Sequence, residues 1–200
     1  MINVTPIARM VLMHNAKSAL QAAHAPQSAQ EATLARLLER GKLTKWGEEH
    51  NYAAINNYAD FKRAVPVQGY EAFRPYAMRM VNGETDVLWP GVCKRFAQSS
   101  GTSGGKSKYI PITHEALRIN HYAGAATSVA LYLLQHPHSR MFAGKGFILG
   151  GSYANELDLP AGVKVGDLSA SLIDKVNPLV EMYRIPHKEI ALMEDWRQKL

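Results

Sequence analysis

Residues 96–111 read Phe96-Ala-Gln-Ser-Ser-Gly-Thr-Ser-Gly-Gly-Lys-Ser-Lys-Tyr-Ile-Pro111, and this stretch decides the fold. Ten consecutive residues within it, Ser99 to Lys108, are all Ser, Thr, Gly or Lys. Phosphate binding asks for this composition. Glycines let backbone N–H groups approach an anion and point inward, hydroxyls add short donors, and lysines bring positive charge. A charge-assisted hydrogen bond contributes about 1.5–3 kcal/mol, so several together hold a triphosphate. A flexible Gly/Ser linker shares the glycine content. However, strand-like apolar stretches abut the loop on both sides, and linkers seldom place lysine at two alternating positions, here Lys106 and Lys108.

The Walker pattern G-x-x-x-x-G-K-[ST] nearly fits at Gly105-Lys106-Ser107, but its first glycine would have to stand where Ser100 stands. A Walker loop also opens directly into a helix whose N-terminus holds the phosphate. Here Tyr109-Ile-Pro-Ile112 follows, and it reads as extended, because Pro111 lacks a donor and biases Ile110 away from helix. No helix is predicted before about Thr113. A Rossmann G-x-G-x-x-G is absent as well.

Working outward, the first 86 residues read mainly helical. Leu34, Leu37 and Leu38 share a face of a segment that stops at Gly41. Tyr58, Phe61 and Ala64 mark a second helix over 57–64, and Phe73, Tyr76, Ala77 and Met80 a third over 71–81. From Val87 the texture changes to short apolar stretches between glycine-rich turns. Strands are predicted at 92–97, 109–112 and 147–151, a long helix over 114–135, and a last helix over 188–200. Strands alternating with helices argue an α/β fold. The pattern divides as a helical lead-in (1–86) followed by a strand, loop and helix region (87–200) that begins a mixed sheet.

Composition narrows the function classes. The 200 residues are 46% hydrophobic and 20% charged, with a net charge of +6 and one cysteine, Cys93. One cysteine forms no internal disulfide, which fits a reducing compartment. No apolar run approaches the roughly 20 residues of a membrane span, and no secretory leader is visible. We therefore expect a cytoplasmic protein without a membrane partner. The lysines and arginines are dispersed, and no nucleic-acid-binding signature accompanies them, so no nucleic acid is expected. His136-Pro-His138 has no companion ligands at zinc spacing. It reads as a helix-ending turn, and no metal-ligating residue is assigned.

The loop resembles the first core motif of adenylate-forming enzymes. Within that superfamily, the chain is similar to the N-terminal half of the auxin-responsive Gretchen Hagen family of acyl acid amido synthetases, bacterial branch. The likeness extends to Tyr70-Glu-Ala-Phe-Arg-Pro-Tyr76, Val87-Leu-Trp-Pro-Gly91, Lys106-Ser-Lys-Tyr-Ile-Pro-Ile-Thr113, Gly150-Gly-Ser152 and Glu189-Ile-Ala-Leu-Met193. The resemblance implies ATP and Mg²⁺ as cofactors, a small carboxylic acid and an amino acid as substrates, and an acyl-adenylate between them. By the same resemblance, Ser99, Ser100, Gly101, Thr102, Ser103 and Gly104 cradle phosphate, and Lys108 is the motif's terminal, catalytic lysine. Ser107 departs from the proline usual in the broader motif. The helix 114–135, with its small residues Ala123–Ser128, would line the acyl pocket, although close helix packing accounts for the same run. Family members run well over twice this length. The chain therefore reads as the N-terminal portion of one adenylate-forming domain, lacking the C-terminal domain and inactive by itself. A non-catalytic remnant and a P-loop phosphotransferase are the competing readings.

Overall fold

A computed structural model describes residues 2–99 and 107–199. The chain begins with α1 (Thr5–His24) and α2 (Pro26–Gly41), followed by α3 (Lys45–Glu49), α4 (Tyr58–Ala64) and α5 (Tyr70–Val81). Strands β1 (Arg95–Ser99) and β2 (Lys108–Pro111) come next. Then α6 (His114–Ala116) runs through a π-helical turn (Leu117–Tyr122) into α7 (Ala123–Gln135). The remainder holds β3 (Gly146–Phe147), β4 (Lys164–Gly166), α8 (Leu168–Asp174), α9 (Pro178–Glu181), β5 (Arg184–Ile185), α10 (Lys188–Ala191) and α11 (Trp196–Lys199). The fold is α/β, a helical lead-in followed by mixed sheet, with β1 and β2 antiparallel and β3 and β5 parallel.

Local chemistry sets the helix starts. Pro26 opens α2 where its missing N–H satisfies no helical bond. The Thr44 hydroxyl accepts from the Gly47 N–H at 3.0 Å to cap α3, and the Asn57 side chain accepts from the Asp60 N–H at 2.9 Å to cap α4.

The chain divides into two compact units. One comprises Ala25–Thr113 and Asn155–Val165. Its core gathers Met80, Val81, Val87, Cys93, Phe96, Tyr109 and Val165, all buried. Burying side chains of this size contributes roughly 1.5–3 kcal/mol each. The sheet order β2-β1-β4 puts β1 in the centre. Trp46 is the pivot of the helical part, with its ring stacked on Phe73 at 4.8 Å and Tyr76 set edge-on at 5.1 Å. These are two of the residues assigned from sequence to the apolar face of α5. Gly47 is required by space: a Cβ there would lie 2.0 Å from the Gly41 carbonyl oxygen at the end of α2.

The other unit comprises Met1–His24, His114–Ala154 and Gly166–Leu200. In it α1 packs along α7. Arg9 donates to the carbonyls of Leu133, His136 and Pro137, placing a cation on the open end of α7. His136 follows the last helical residue, and the Ser139 N–H closes the turn on its carbonyl at 3.1 Å. The sequence reading therefore stands for that turn. Lys199 is buried, with its ammonium donating to the Gly150 carbonyl at 2.8 Å and lying 4.4 Å from the Trp196 ring centroid.

Three sequence expectations need correction. The strand expected at 92–97 begins only at Arg95 and runs on to Ser99. The last helix is broken between Ala191 and Trp196, where the Asp195 side chain accepts from the Arg197 N–H at 2.8 Å and starts a new turn. The strand expected at 147–151 pairs only over Gly146–Phe147, continued by the Ile148 N–H donating to the Ile185 carbonyl. Among the described residues, no helix is long and apolar enough to cross a membrane.

Candidate functional site

The loop singled out by sequence is closed by a hairpin stem. Phe96 pairs with Pro111, Ala97 with Ile110, Gln98 with Tyr109 and Ser99 with Lys108. The two sequence-assigned residues at the ends of the loop are thus direct cross-strand partners. Ser100, Gly101, Thr102, Ser103 and Gly104 lie outside the described residues. Beyond the stem, the Ile112 N–H donates to the Arg95 carbonyl at 2.8 Å, and the helix begins at His114, as the sequence predicts. Among the described residues, Ser107 leads into β2 and not into a helix, which is not the exit of a Walker loop.

Antiparallel pairs alternate between hydrogen-bonded and non-hydrogen-bonded. With Ile112 bonded to Arg95, the bonded pairs are Ala97 with Ile110 and Ser99 with Lys108. Tyr109 therefore turns its N–H and carbonyl away from β1, and β2 is an edge strand. Helix α5 supplies what that edge lacks. The Tyr70 hydroxyl accepts from the Tyr109 N–H at 2.5 Å and donates to the Tyr109 carbonyl at 3.1 Å. One helical turn later, Arg74 Nη1 donates to the Ser107 carbonyl at 2.8 Å. Ser107 is held a second time, its Oγ accepting from Gln98 Nε2 at 3.0 Å. Lys108 Nζ lies 5.8 Å from the Tyr70 ring centroid, and the Arg74 guanidinium 5.7 Å from that of Tyr109. Lys108 on the stem and Arg74 on the helix beside it thus bring two cations to the strand ends that carry Ser99 and Ser107, a set of groups suited to a polyanion.

The sequence marks Tyr70, Arg74 and Gln98 only as members of longer stretches and assigns none of them a role. The first two act on backbone groups 39 and 33 residues away, which no local pattern reveals. Their spacing of four on one helix was the available signal.

Two other cations of this unit, Lys45 and Arg79, are committed to one carboxylate. Glu84 accepts from Arg79 Nε at 2.8 Å and from Lys45, tying α3 to the end of α5. The Arg79 bond, and then that of Lys45, hold the Glu84 carboxyl down to about 2. Burial pushes the Cys93 thiol up, which makes it a poor nucleophile.

In the second unit, the expected small-residue run begins α7. Gly124 has open space where a Cβ would stand, so close packing within this chain does not require glycine there. The π-helical turn at Leu117–Tyr122 directly precedes it. Such turns inside α-helices often mark functional sites. Among the described residues, no cluster of three His, Cys, Asp or Glu side chains could hold a metal ion.

Comparison with known proteins follows the same lines. Residues 16–200 match the model of the GH3 family N-terminal domain. Indole-3-acetic acid-amido synthetase GH3.2 of Arabidopsis thaliana is 33% identical over 93 residues, which is 46% of this chain and 17% of that protein. The 4-substituted benzoates-glutamate ligase GH3.12 of the same plant is 45% identical over 58 residues, 28% of this chain and 10% of that protein. Among solved structures, the GH3.15 acyl acid amido synthetase superposes with a TM-score of 0.65 at 25% identity, covering 84% of this chain and 29% of that one. The chain thus spans less than a third of the length of these relatives.

Proposed function

Since the chain belongs to the GH3 family and matches its N-terminal domain, we propose that it is the N-terminal part of an ATP-dependent acyl acid amido synthetase. The relatives that support this reading are amido synthetases and ligases by name. The single observation that carries the nucleotide role is the pairing of Ser99 with Lys108 at the mouth of a Ser/Thr/Gly/Lys loop.

The reaction has two steps. A carboxylate oxygen attacks the α-phosphorus of ATP, the bond to the β-phosphate oxygen breaks, and pyrophosphate leaves. An amino acid amine then attacks the acyl carbon, loses a proton and expels AMP, leaving an amide. The first step brings two anions together and builds charge on phosphoryl oxygens, so it depends on fixed donors and cations. Ser99, Ser100, Gly101, Thr102, Ser103 and Gly104 are assigned to the phosphates, and Lys108 to the charge that develops as pyrophosphate departs. Mg²⁺ would neutralise part of the triphosphate charge. The described residues offer it no cage, so it would arrive on the phosphates themselves, as Mg²⁺ commonly does.

The helix from His114 to Gln135 is assigned to the acyl acid, with Gly124 and the π-helical turn giving room. The whole chain is read as part of one adenylate-forming domain. Its address on this reading is the cytoplasm, where a lone thiol such as Cys93 stays reduced. The test is exchange of labelled pyrophosphate into ATP by the full-length protein. Exchange that depends on an added carboxylic acid supports adenylate formation, whereas release of ADP instead of AMP contradicts it.

A further inference from the structure

The stem of the loop is held from outside by one helix, and the pattern of contacts is specific. Tyr70 and Arg74 stand four residues apart on α5 and so share a face. Tyr70 satisfies both outward main-chain groups of Tyr109 with one hydroxyl, and Arg74 fixes the carbonyl of Ser107. Between the two fixed residues lies Lys108. Its backbone is pinned on both sides, and its ammonium lies beside the ring of Tyr70. Gln98 completes the set from β1 by holding the Ser107 side chain.

We propose that Tyr70 and Arg74 form a strap that positions Lys108, and with it the downstream end of the loop, for adenylate formation. This inference rests on the ligase reading above. Neither residue is asked to touch the nucleotide. Both are positioning residues that act through the backbone around Lys108. The physical need is plain. A lysine side chain is long and flexible, and among the described residues no strand pairs with the outer edge of the strand that carries it, where α5 supplies the contacts instead. Without the strap, the strand end can shift and the ammonium loses its aim. A misplacement on the order of 1 Å can cost about a hundredfold in rate.

The strap makes a claim that a merely structural role does not. If Arg74 acts through Lys108, removing both costs little more than removing Lys108 alone, because coupled residues are non-additive. The experiment uses full-length protein and carboxylate-dependent pyrophosphate exchange. Arg74→Met keeps the length of the side chain and removes its donors, while Arg74→Lys keeps one donor and the charge. For Arg74→Met we expect kcat to fall about 10- to 100-fold, as for a misplaced catalytic group. The KM for ATP should stay within a factor of about two, which is the pattern of an interaction exerted in the transition state. Arg74→Lys should recover most of the lost rate. Tyr70→Phe should fall in the same direction, and Arg74→Met added to Lys108→Ala should change little. A wild-type kcat in Arg74→Met overturns the strap, as does a loss fully additive with that of Lys108→Ala. A thermal melt accompanies each variant. A fall in rate that tracks a fall in melting temperature, without the kcat-only signature, also overturns it. If the wild type shows no exchange with any acid, the ligase reading fails and the strap falls with it. If the wild type exchanges and Arg74→Met is indifferent, the strap alone fails.

Discussion

Ser99 and Lys108 face each other as the last cross-strand pair before the loop, so the chain leaves β1 and re-enters β2 through one closed gate. Ser99 and Lys108 thereby stand at the two ends of a segment rich in Ser, Thr and Gly. The register fixes this pairing, and a one-residue slip would send Lys108 to the other face of the sheet.

The first prediction follows from that placement. Lys108→Ala in the full-length protein should slow carboxylate-dependent pyrophosphate exchange by about 10²–10³, as expected when one fixed donor to developing charge is lost. Lys108 is only partly buried and belongs to no core cluster, so the melting temperature should barely move. Steady-state exchange and a thermal melt on the same sample check it. A rate within a few-fold of wild type removes Lys108 from catalysis.

Phe96 anchors β1, and so the upstream end of the loop, in a fully buried position. Phe96→Ala should destabilise the protein by about 3–5 kcal/mol through lost burial and the cavity left behind. Urea unfolding measures this. A loss below about 1 kcal/mol would mean that the core described around β1 does not hold the strand.

Gly47 allows α3 to pass the end of α2 at backbone contact. Gly47→Ala places a methyl group 2.0 Å from the Gly41 carbonyl oxygen, and neither partner is a flexible side chain. The expected cost is about 1–3 kcal/mol, typical of overpacking. It should be accompanied by altered near-UV circular dichroism from the Trp46 stack. Unchanged stability would contradict the close approach.

Glu84 gives the acid response. Its carboxyl is held at about 2, below the ordinary 4.5, by bonds from Arg79 and Lys45. A group depressed in the folded state stabilises fully above its unfolded pKa, and that contribution is lost as pH falls through its folded value. The gap in melting temperature between wild type and Glu84→Gln should therefore be largest near neutrality and close between about pH 4.5 and 2. Because the side chains of Glu84 and Arg79 are still about one-third open to solvent, the gap should also shrink in high salt. A gap that does not change from pH 7 to pH 3 would show that the pairing contributes nothing.

Much of this was legible in the sequence, for identifiable reasons. Pro111 with Ile110 and Ile112 forces an extended exit from the loop, and the structure has β2 there. The spacing of Phe73, Tyr76, Ala77 and Met80 gives the packed face of α5, where Ala77 and Met80 are buried. Helix α1 escaped notice because only Thr5 and Ala16 along it are buried, so no sharp apolar stripe marks it. The break before Trp196 depends on a local Asp195 bond that competes with an otherwise continuous helical pattern. The strap residues escaped because their partners are backbone groups more than thirty residues away.

The central claim is that this loop serves attack at the α-phosphorus, not the γ-phosphorus, of ATP, so that an adenylyl group and not a phosphoryl group is transferred. One measurement tests it directly: full-length protein with ATP, Mg²⁺, an acid and an amino acid, with the nucleotide products separated. The account predicts AMP and pyrophosphate, formed only with the acid present, and an amide only when the amino acid is added. ADP with a phosphorylated product, or nucleotide turnover indifferent to the acid, would contradict it.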